Sequence, residues 1–422
     1  MKILVVGSGG REHALVRAIK KSSKVEKIYC CPGNGGISAD AECVNIKATD
    51  IDAMVEFAVK EKIDLAVVAP DDPLAMGMVD RMNEKGIMTF GPRQNAAVIE
   101  SSKVFSKNLM KDFGIPTASY EVIDNAEAAI AYIEKQNKFP VVIKADGLAL
   151  GKGVIIAETM QEAKDGINSI MEDKIFGASG NKVVIEEFMT GPEVSVLAFT
   201  DGKTVKPMVS SMDHKRAYDG DKGPNTGGMG TIAPNPYYTS EVAKQCMDEI
   251  FLPTIRAMEK LGRPFKGCLY FGLMITPNGP RVIEYNCRFG DPETQVVLPL
   301  LKTDLVDIML AIYEERLHEL DIEWHDGGAA CVIMASGGYP GSYPKGLPIS
   351  GLNENGQLEL ADVTVYHAGT KKEDGSYLTN GGRVMGVTAV GSDKADALRK
   401  AYDAVGKISF ENAHFRKDIG TK

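Results

Sequence analysis

Tryptophan occurs once in this 422-residue chain, and the seven cysteines show no C-x-x-C spacing. An odd number of thiols, with only Cys30 and Cys31 adjacent, argues against a zinc or disulfide framework. It fits reduced thiols and a cytoplasmic protein. Positive charge is in deficit: 48 Lys and Arg stand against 57 Asp and Glu, for a net charge of −9. No basic cluster rises above that background, so no nucleic-acid partner is expected. Long hydrophobic runs are missing as well. The longest are strand-length, so no membrane span is predicted. The N-terminus, Met1-Lys2-Ile3-Leu4-Val5-Val6-Gly7, enters a strand at once, and no signal peptide is expected.

Three further absences narrow the chemistry. No G-x-S-x-G elbow occurs, so nothing suggests a serine nucleophile on an α/β-hydrolase turn. Gly7-Ser8-Gly9-Gly10-Arg11-Glu12 misses the dinucleotide fingerprint, because Glu12 stands where its last glycine belongs and no ribose-binding acid ends the next strand. A nicotinamide oxidoreductase is thereby disfavoured. Asp146-Gly147-Leu148-Ala149-Leu150-Gly151-Lys152-Gly153 is not a Walker A loop: its glycines are one residue too close, and Gly153 replaces the hydroxyl residue that would meet Mg²⁺.

What is present reads as a multidomain α/β and α+β protein, with length favouring about three domains. Lys2–Val6 is an apolar strand, Gly7–His13 a glycine turn, and Ala14–Lys20 has helical spacing. That succession opens a doubly wound parallel sheet. Strands follow at Lys27–Cys31, Leu65–Ala69 and Ile87–Phe90, with a helix at Ile51–Lys60. Gly9, Gly10, Pro32, Gly33 and Asn34 lie in turns after strands, where such sheets bind ligands, and suit a phosphate or phosphosugar. Asp71–Leu74 reads as a third such turn. From Asp326 on, apolar strands at Ala329–Ala335, Glu359–Ala361, Thr364–His367 and Arg383–Val390, with a helix at Ser392–Ile408, predict a small α+β domain.

The stretch that organises the chain is Arg281–Glu293. Strand alternation places Val282, Glu284, Asn286 and Arg288 on one face, and Asp291 and Glu293 follow the Gly290 turn. A carboxylate, an amide and a guanidinium in a row suit a cation–phosphate centre. Upstream, Gly272 leaves space on one face of the preceding strand. Lys103 and Lys107 are one helical turn apart, a spacing that by itself reads as a solvated face. Lys144 ends a strand before the glycine-rich flap that holds Lys152. Glu186-Glu187-Phe188-Met189 forms a polar–apolar edge able to face an adenine, and Glu193 follows it. Asp213 sits in a basic cluster with Lys215, ahead of the glycine-dense loop Asp219–Gly230. His13 and His214 read as hydrogen-bonded orienting residues rather than bases.

V-V-I-K-A-D-G-L-A-x-G-K-G-V, V-I-E-E-F, D-H-K-R, G-P-N-T-G-G-M-G and E-Y-N-C-R-F-G-D-P-E-T-Q together resemble the ATP-grasp ligases. With G-S-G-G-R-E-H-A at the start, the chain resembles the phosphoribosylamine–glycine ligase family over nearly its whole length. The resemblance implies a phosphosugar-binding domain at 1–101, an ATP-grasp region of two subdomains at 102–325 with a flexible flap at about 120–188, and a C-terminal domain at 326–422. It implies ATP contacts from Lys103, Lys144, Gly151, Lys152, Gly153 and the Glu186–Met189 hinge (Glu186, Glu187, Phe188, Met189), with Glu193 on the ribose. Glu284 and Asn286 would hold Mg²⁺ or Mn²⁺. Asp213, Lys215 and Arg288 would meet the reacting groups, and Gly9, Gly10, Pro32, Gly33, Asn34 and Asp291 the amine substrate. The implied reaction joins glycine to 5-phosphoribosylamine with ATP. Another ATP-grasp ligase or a biotin-type carboxylase subunit is the alternative. The expected assembly is a monomer, with a homodimer as the alternative.

Overall fold

The structure is a computed structural model, and residues 1–148 and 153–421 are described. The first sheet is parallel, in the order Glu42–Cys43, Lys27–Pro32, Lys2–Gly7, Leu65–Val68, Met88–Phe90. Its central strand, Lys2–Gly7, is apolar from Ile3 to Val6 because both faces are covered. Leu4 and Val6 pack with Met54 and Ala58 of the helix Ile51–Glu61, while Ile3 and Val5 pack with Leu15 and Ile19 of the helix Gly10–Lys20. The short strand Glu42–Cys43 was not foreseen; two residues are too few to show periodicity.

Two antiparallel four-stranded sheets form the middle of the chain. One runs Tyr120–Ile123, Val183–Glu187, Val141–Ala145, Val154–Ala157. It is backed by the helices Ala126–Gln136 and Met160–Met171 through Ala129, Ile133, Ile167 and Ile170. The other runs Val205–Pro207, Glu193–Asp201, Lys266–Thr276, Gly279–Asn286. The fourth large sheet runs Met212–Asp213, Gly230–Ala233, Gly328–Ala335, Arg383–Gly391, Val363–His367, covered by the helix Lys394–Val405. Its first two strands come from the middle of the chain, so the glycine loop between them is framed by the C-terminal sheet.

Several expectations need correction. Asp71–Ala75 is a short helix rather than a turn, begun by extended Pro70. Glu359–Ala361 is not a strand; the chain turns there through Asp362 at φ 61°, while Leu358 and Leu360 lean on the C-terminal core. A hairpin at Thr370–Glu373 and Ser376–Thr379, turning at Asp374-Gly375, adds a small sheet beyond the expected strands. Lys103 and Lys107 do not form a solvated face. The helix Lys103–Asp112 turns them inward, and Lys107 is only 2% exposed. Among the described residues, no helix is long and apolar enough to cross a membrane. All seven cysteines are free, six of them buried.

Candidate active site

A cleft of about 1020 Å³ opens where the two central sheets meet the C-terminal sheet. Its floor is the hairpin Lys266–Thr276/Gly279–Asn286. Asn286 faces Tyr270 and Glu284 faces Gly272, but Val282 pairs with Leu273, because a bulge intervenes. Strict alternation therefore fails at Ile283. Val282 joins Tyr285 and Cys287 in the core, while Glu284 and Asn286 face the cleft. The expected common face thus loses Val282 and keeps its polar members, Arg288 included.

Cations surround Glu284. Burial would raise its pKa, but Lys215, Lys144, Lys103 and Arg288 outweigh burial and hold it below the usual carboxylate range. Lys103 donates to the Gly147 carbonyl at 2.8 Å, and burial lowers its own pKa. Lys144 donates to the Ile283 carbonyl at 3.1 Å. Glu186, expected at an adenine edge, turns its side chain inward between two ammonium groups. Lys107 lies 3.0 Å from one oxygen and Lys144 2.9 Å from the other. The Lys144 contact is an ion pair, and that oxygen has no hydrogen-bond partner among the described residues. Burial outweighs Glu186 and lowers Lys107 to about 8. Glu187, Phe188 and Met189 line the cleft beside it, with Phe188 exposed. Gly153 also lines it, whereas Gly151, Lys152 and Leu150 fall outside the described residues.

At the other end, Lys215 lies 3.1 Å from Glu193, and that carboxylate holds its pKa well above the ordinary value. Arg288 pairs with Glu100 at 3.2 Å, and Glu100 also accepts the Cys287 N–H at 2.7 Å. The buried Nε of Arg288 has no hydrogen-bond partner among the described residues, so one donor of the guanidinium is available to a ligand. Asp213 is raised well above the carboxylate range by burial and then by the charge of Glu293. Glu293 is itself buried and raised, and receives the Ser195 hydroxyl at 3.4 Å. Asp291 is held low: burial is outweighed by Arg383, 3.3 Å away, and by Arg11. Sequence reasoning left Lys107, Glu100 and Glu293 out of the site set, though Lys107 beside Lys103 and Glu293 beside Asp291 carried local signals. Gly381-Gly382-Arg383 reads from the sequence as a segment bordering the site, and Arg383 does line the cleft.

The N-terminal glycine turn reaches this cleft through Asp291. Gly9 N–H is taken by Glu12, and Arg11 N–H donates to Asp291 at 3.2 Å. A side chain at Gly10 would meet Gln295 Nε2 at 2.6 Å. The helix N-terminus thus already faces protein carboxylates. Gly33, at φ 73°, follows Pro32 and donates to the Gly7 carbonyl at 3.1 Å. The Asn34 side chain is fully engaged: its amide donates to the Ser8 and His367 carbonyls, and its oxygen accepts the Gly36 and Ile37 N–H groups, each at 2.9 Å. Gly9, Gly10, Pro32, Gly33 and Asn34 are outside the lining of the main cleft, while Asp291 lies in it. His13 and His214 are both hydrogen-bonded to the protein, and His214 also lines the cleft. His13 Nδ1 accepts the His367 N–H and its Nε2 faces Asp40, while His214 bonds Gly230 O and Gly420 N–H.

Models of the phosphoribosylglycinamide synthetase family match the chain in three successive parts. The N domain matches residues 1–100, the ATP-grasp (A) domain 101–294 and the C domain 329–422. The phosphoribosylamine–glycine ligase of Caldanaerobacter subterraneus subsp. tengcongensis is 48% identical over 99% of both chains. That of Clostridium acetobutylicum is 48% identical over 100% of this chain and 99% of the relative. The crystal structure of phosphoribosylamine–glycine ligase from Thermotoga maritima superposes with a TM-score of 0.87 at 34% identity, covering 100% of each chain. A biotin carboxylase from Campylobacter jejuni shares the fold alone, with a TM-score of 0.76 at 16% identity over 98% of this chain and 92% of that one. A cleft built from ATP-grasp sheets, with full-length relatives of one activity, makes this chain a member of the phosphoribosylglycinamide synthetase family, the phosphoribosylamine–glycine ligases: an ATP-dependent carbon–nitrogen ligase of purine biosynthesis.

Proposed function

We propose that the cleft joins glycine to 5-phosphoribosylamine through glycyl phosphate. The observation that carries this reading is Glu284 facing Lys103, Lys144, Lys215 and Arg288 on the cleft floor. A glycine carboxylate oxygen attacks the terminal phosphorus of ATP, and the bond to ADP breaks. The amine nitrogen then attacks the acyl carbon, the carbon–oxygen bond to phosphate breaks, and the amine gives up a proton. Such transfers need positioning and charge neutralisation more than a covalent nucleophile.

Lys103 and Lys144 bind the ATP phosphates, Glu187 to Met189 border the adenine, and Glu193 takes the ribose. Arg288 and Lys215 hold the carboxylate and the transferred phosphoryl group. Asp213, with Glu293 beside it, orients the amine. Gly9, Gly10 and the Pro32–Asn34 turn receive the phosphosugar, with Asp291 between them and the acyl group. Glu284 and Asn286 fit a divalent cation, since both offer hard oxygen donors and the surrounding cations keep Glu284 ionised. Among the described residues no larger His, Cys, Asp and Glu cluster could hold a metal, so phosphate oxygens and water would fill the other positions. When bound, Mg²⁺ or Mn²⁺ would neutralise phosphate charge.

The working units follow as 1–101, 102–325 with a flap at about 120–188, and 326–422. The protein acts as a monomer in the cytoplasm, a setting its free thiols suit. Glycine labelled with ¹⁸O in its carboxylate tests the route. Label is expected in the released phosphate, and unlabelled phosphate from a productive reaction would rule the route out.

A further inference from the structure

Arg383 lies on the strand Arg383–Gly391 of the C-terminal sheet, yet its guanidinium ends in the cleft. Nη1 donates to the Gly227 carbonyl at 2.7 Å, to the Asp291 carbonyl at 2.9 Å and to the Gly228 carbonyl at 3.5 Å. Nη2 lies 3.3 Å from the Asp291 carboxylate. One side chain thus ties the glycine loop to the turn after the Glu284 strand. The loop has no slack at that point. A side chain at Gly227 would sit 3.0 Å from Arg383 Cζ, and one at Gly228, at φ 115°, would meet Pro292 and Asp213 Oδ1 at 2.5 and 2.6 Å. Tyr339 OH adds a second hold from the C-terminal domain, accepting the Gly227 N–H at 3.1 Å.

The position of this loop is passed directly to the reacting side chains. Thr226 N–H and Oγ1 both donate to the Lys215 carbonyl at 2.8 Å, and Met229 N–H donates to the His214 carbonyl at 2.8 Å. Asp213 and Lys215 are therefore held through Gly227 and Gly228, which Arg383 grips. On its other side, Asp291 is bonded by Arg11 N–H of the N-terminal helix. Arg383 closes the chain of bonds that runs from the acyl end of the cleft to the glycine turn.

We propose that Arg383 is a positioning residue that couples acyl phosphate formation to capture by the amine, by holding the 226–229 loop against Asp291. This rests on the reaction proposed above. Without that hold, water competes for the acyl carbon. Its oxygen bonds to the carbon, the bond to phosphate breaks, glycine is regenerated, and the proton passes to solvent. ATP is then spent without product.

The test is the ratio of ADP to glycinamide product in the full-length enzyme, for wild type, Arg383→Gln and Arg383→Lys. Wild type is expected near one ADP per product. Arg383→Gln is expected to at least double that ratio and to lower product formation on the order of ten-fold, within the loss that a misplaced reacting group causes. Arg383→Lys keeps the charge but not the fork, and should restore part of the coupling. If Arg383→Gln does not fold, the Lys variant carries the test alone. A ratio that stays at one in the folded variants overturns the role of Arg383, whatever happens to rate or melting temperature. A wild type that releases no ADP on adding glycine would instead overturn the reaction itself.

Discussion

Gly272 stands directly opposite Glu284 across the antiparallel hairpin, and a methyl group built on it would lie 3.1 Å from Glu284 Cγ and 3.4 Å from the Tyr270 ring. The missing side chain is what lets Glu284 lie flat on the cleft floor. Gly272→Val should push Glu284 toward the cations and the nucleotide. Steady-state kinetics should show kcat/KM for ATP reduced on the order of a hundred-fold. The melting temperature should change far less than the rate. A fully active variant would mean that Glu284 needs no such space.

The Lys107–Glu186–Lys144 chain predicts a pH effect on ATP affinity. Burial lowers Lys107 to about 8 against the usual 10.5. Above pH 8 Lys107 becomes neutral, and Glu186 draws on Lys144 alone, leaving that ammonium less free for phosphate. KM for ATP should rise with an inflection near pH 8, and Lys107→Met should abolish the inflection. The sign for stability is opposite. Between about 8 and 10.5 the unfolded chain binds the extra proton, so the stability contribution of Lys107 increases with pH across that window. Below that window its buried charge costs on the order of a few kcal/mol.

Acid should loosen the joint between the N- and C-terminal sheets. His367 is buried, with Nδ1 on Thr370 and Nε2 on the Gly356 carbonyl, and its backbone N–H donates to His13. Burial, then the neighbouring His13, lowers His367 from 6.5 to about 3, and burial lowers His13 too. Both folded-state values lie below the unfolded one. The stability they contribute is complete above about pH 6.5 and is lost as pH falls from there toward 3. Thermal melts should therefore drop across that range by the equivalent of a few kcal/mol. The pH dependence should flatten in His367→Asn. A melting temperature that is constant from pH 7 to pH 4 would contradict this account.

Much of the site was legible because its residues sit in runs with local meaning. Strand, glycine turn and helix at residues 2–20, and the acid–amide spacing of Glu284 and Asn286, need no tertiary information. What escaped depends on contacts distant in sequence. Helical spacing puts Lys103 and Lys107 on one face but cannot say that the face turns inward against Glu186. Alternation cannot reveal the bulge at Ile283, because a bulge is a property of the pairing, here with Gly272 and Leu273 of the partner strand, and not of one strand's sequence. The Asn34 side chain shapes its turn through four bonds to the protein, and the one to the His367 carbonyl spans a distance in sequence that no local motif records. Gly381-Gly382-Arg383 reads as a segment beside the site, but Arg383 lies 92 residues beyond the Asp291 carbonyl that it binds, so no motif reveals that bond.

The central claim is that Glu284 and Asn286 hold the cation that accompanies the terminal phosphoryl group of ATP. Crystals grown with Mn²⁺, a non-hydrolysable ATP analogue and glycine test it most directly, because manganese scatters anomalously. The account predicts one anomalous peak within about 2.2 Å of a Glu284 carboxylate oxygen and the Asn286 amide oxygen, with the terminal phosphate on the same ion. A triphosphate whose metal lies elsewhere in the cleft, touching neither side chain, would contradict it.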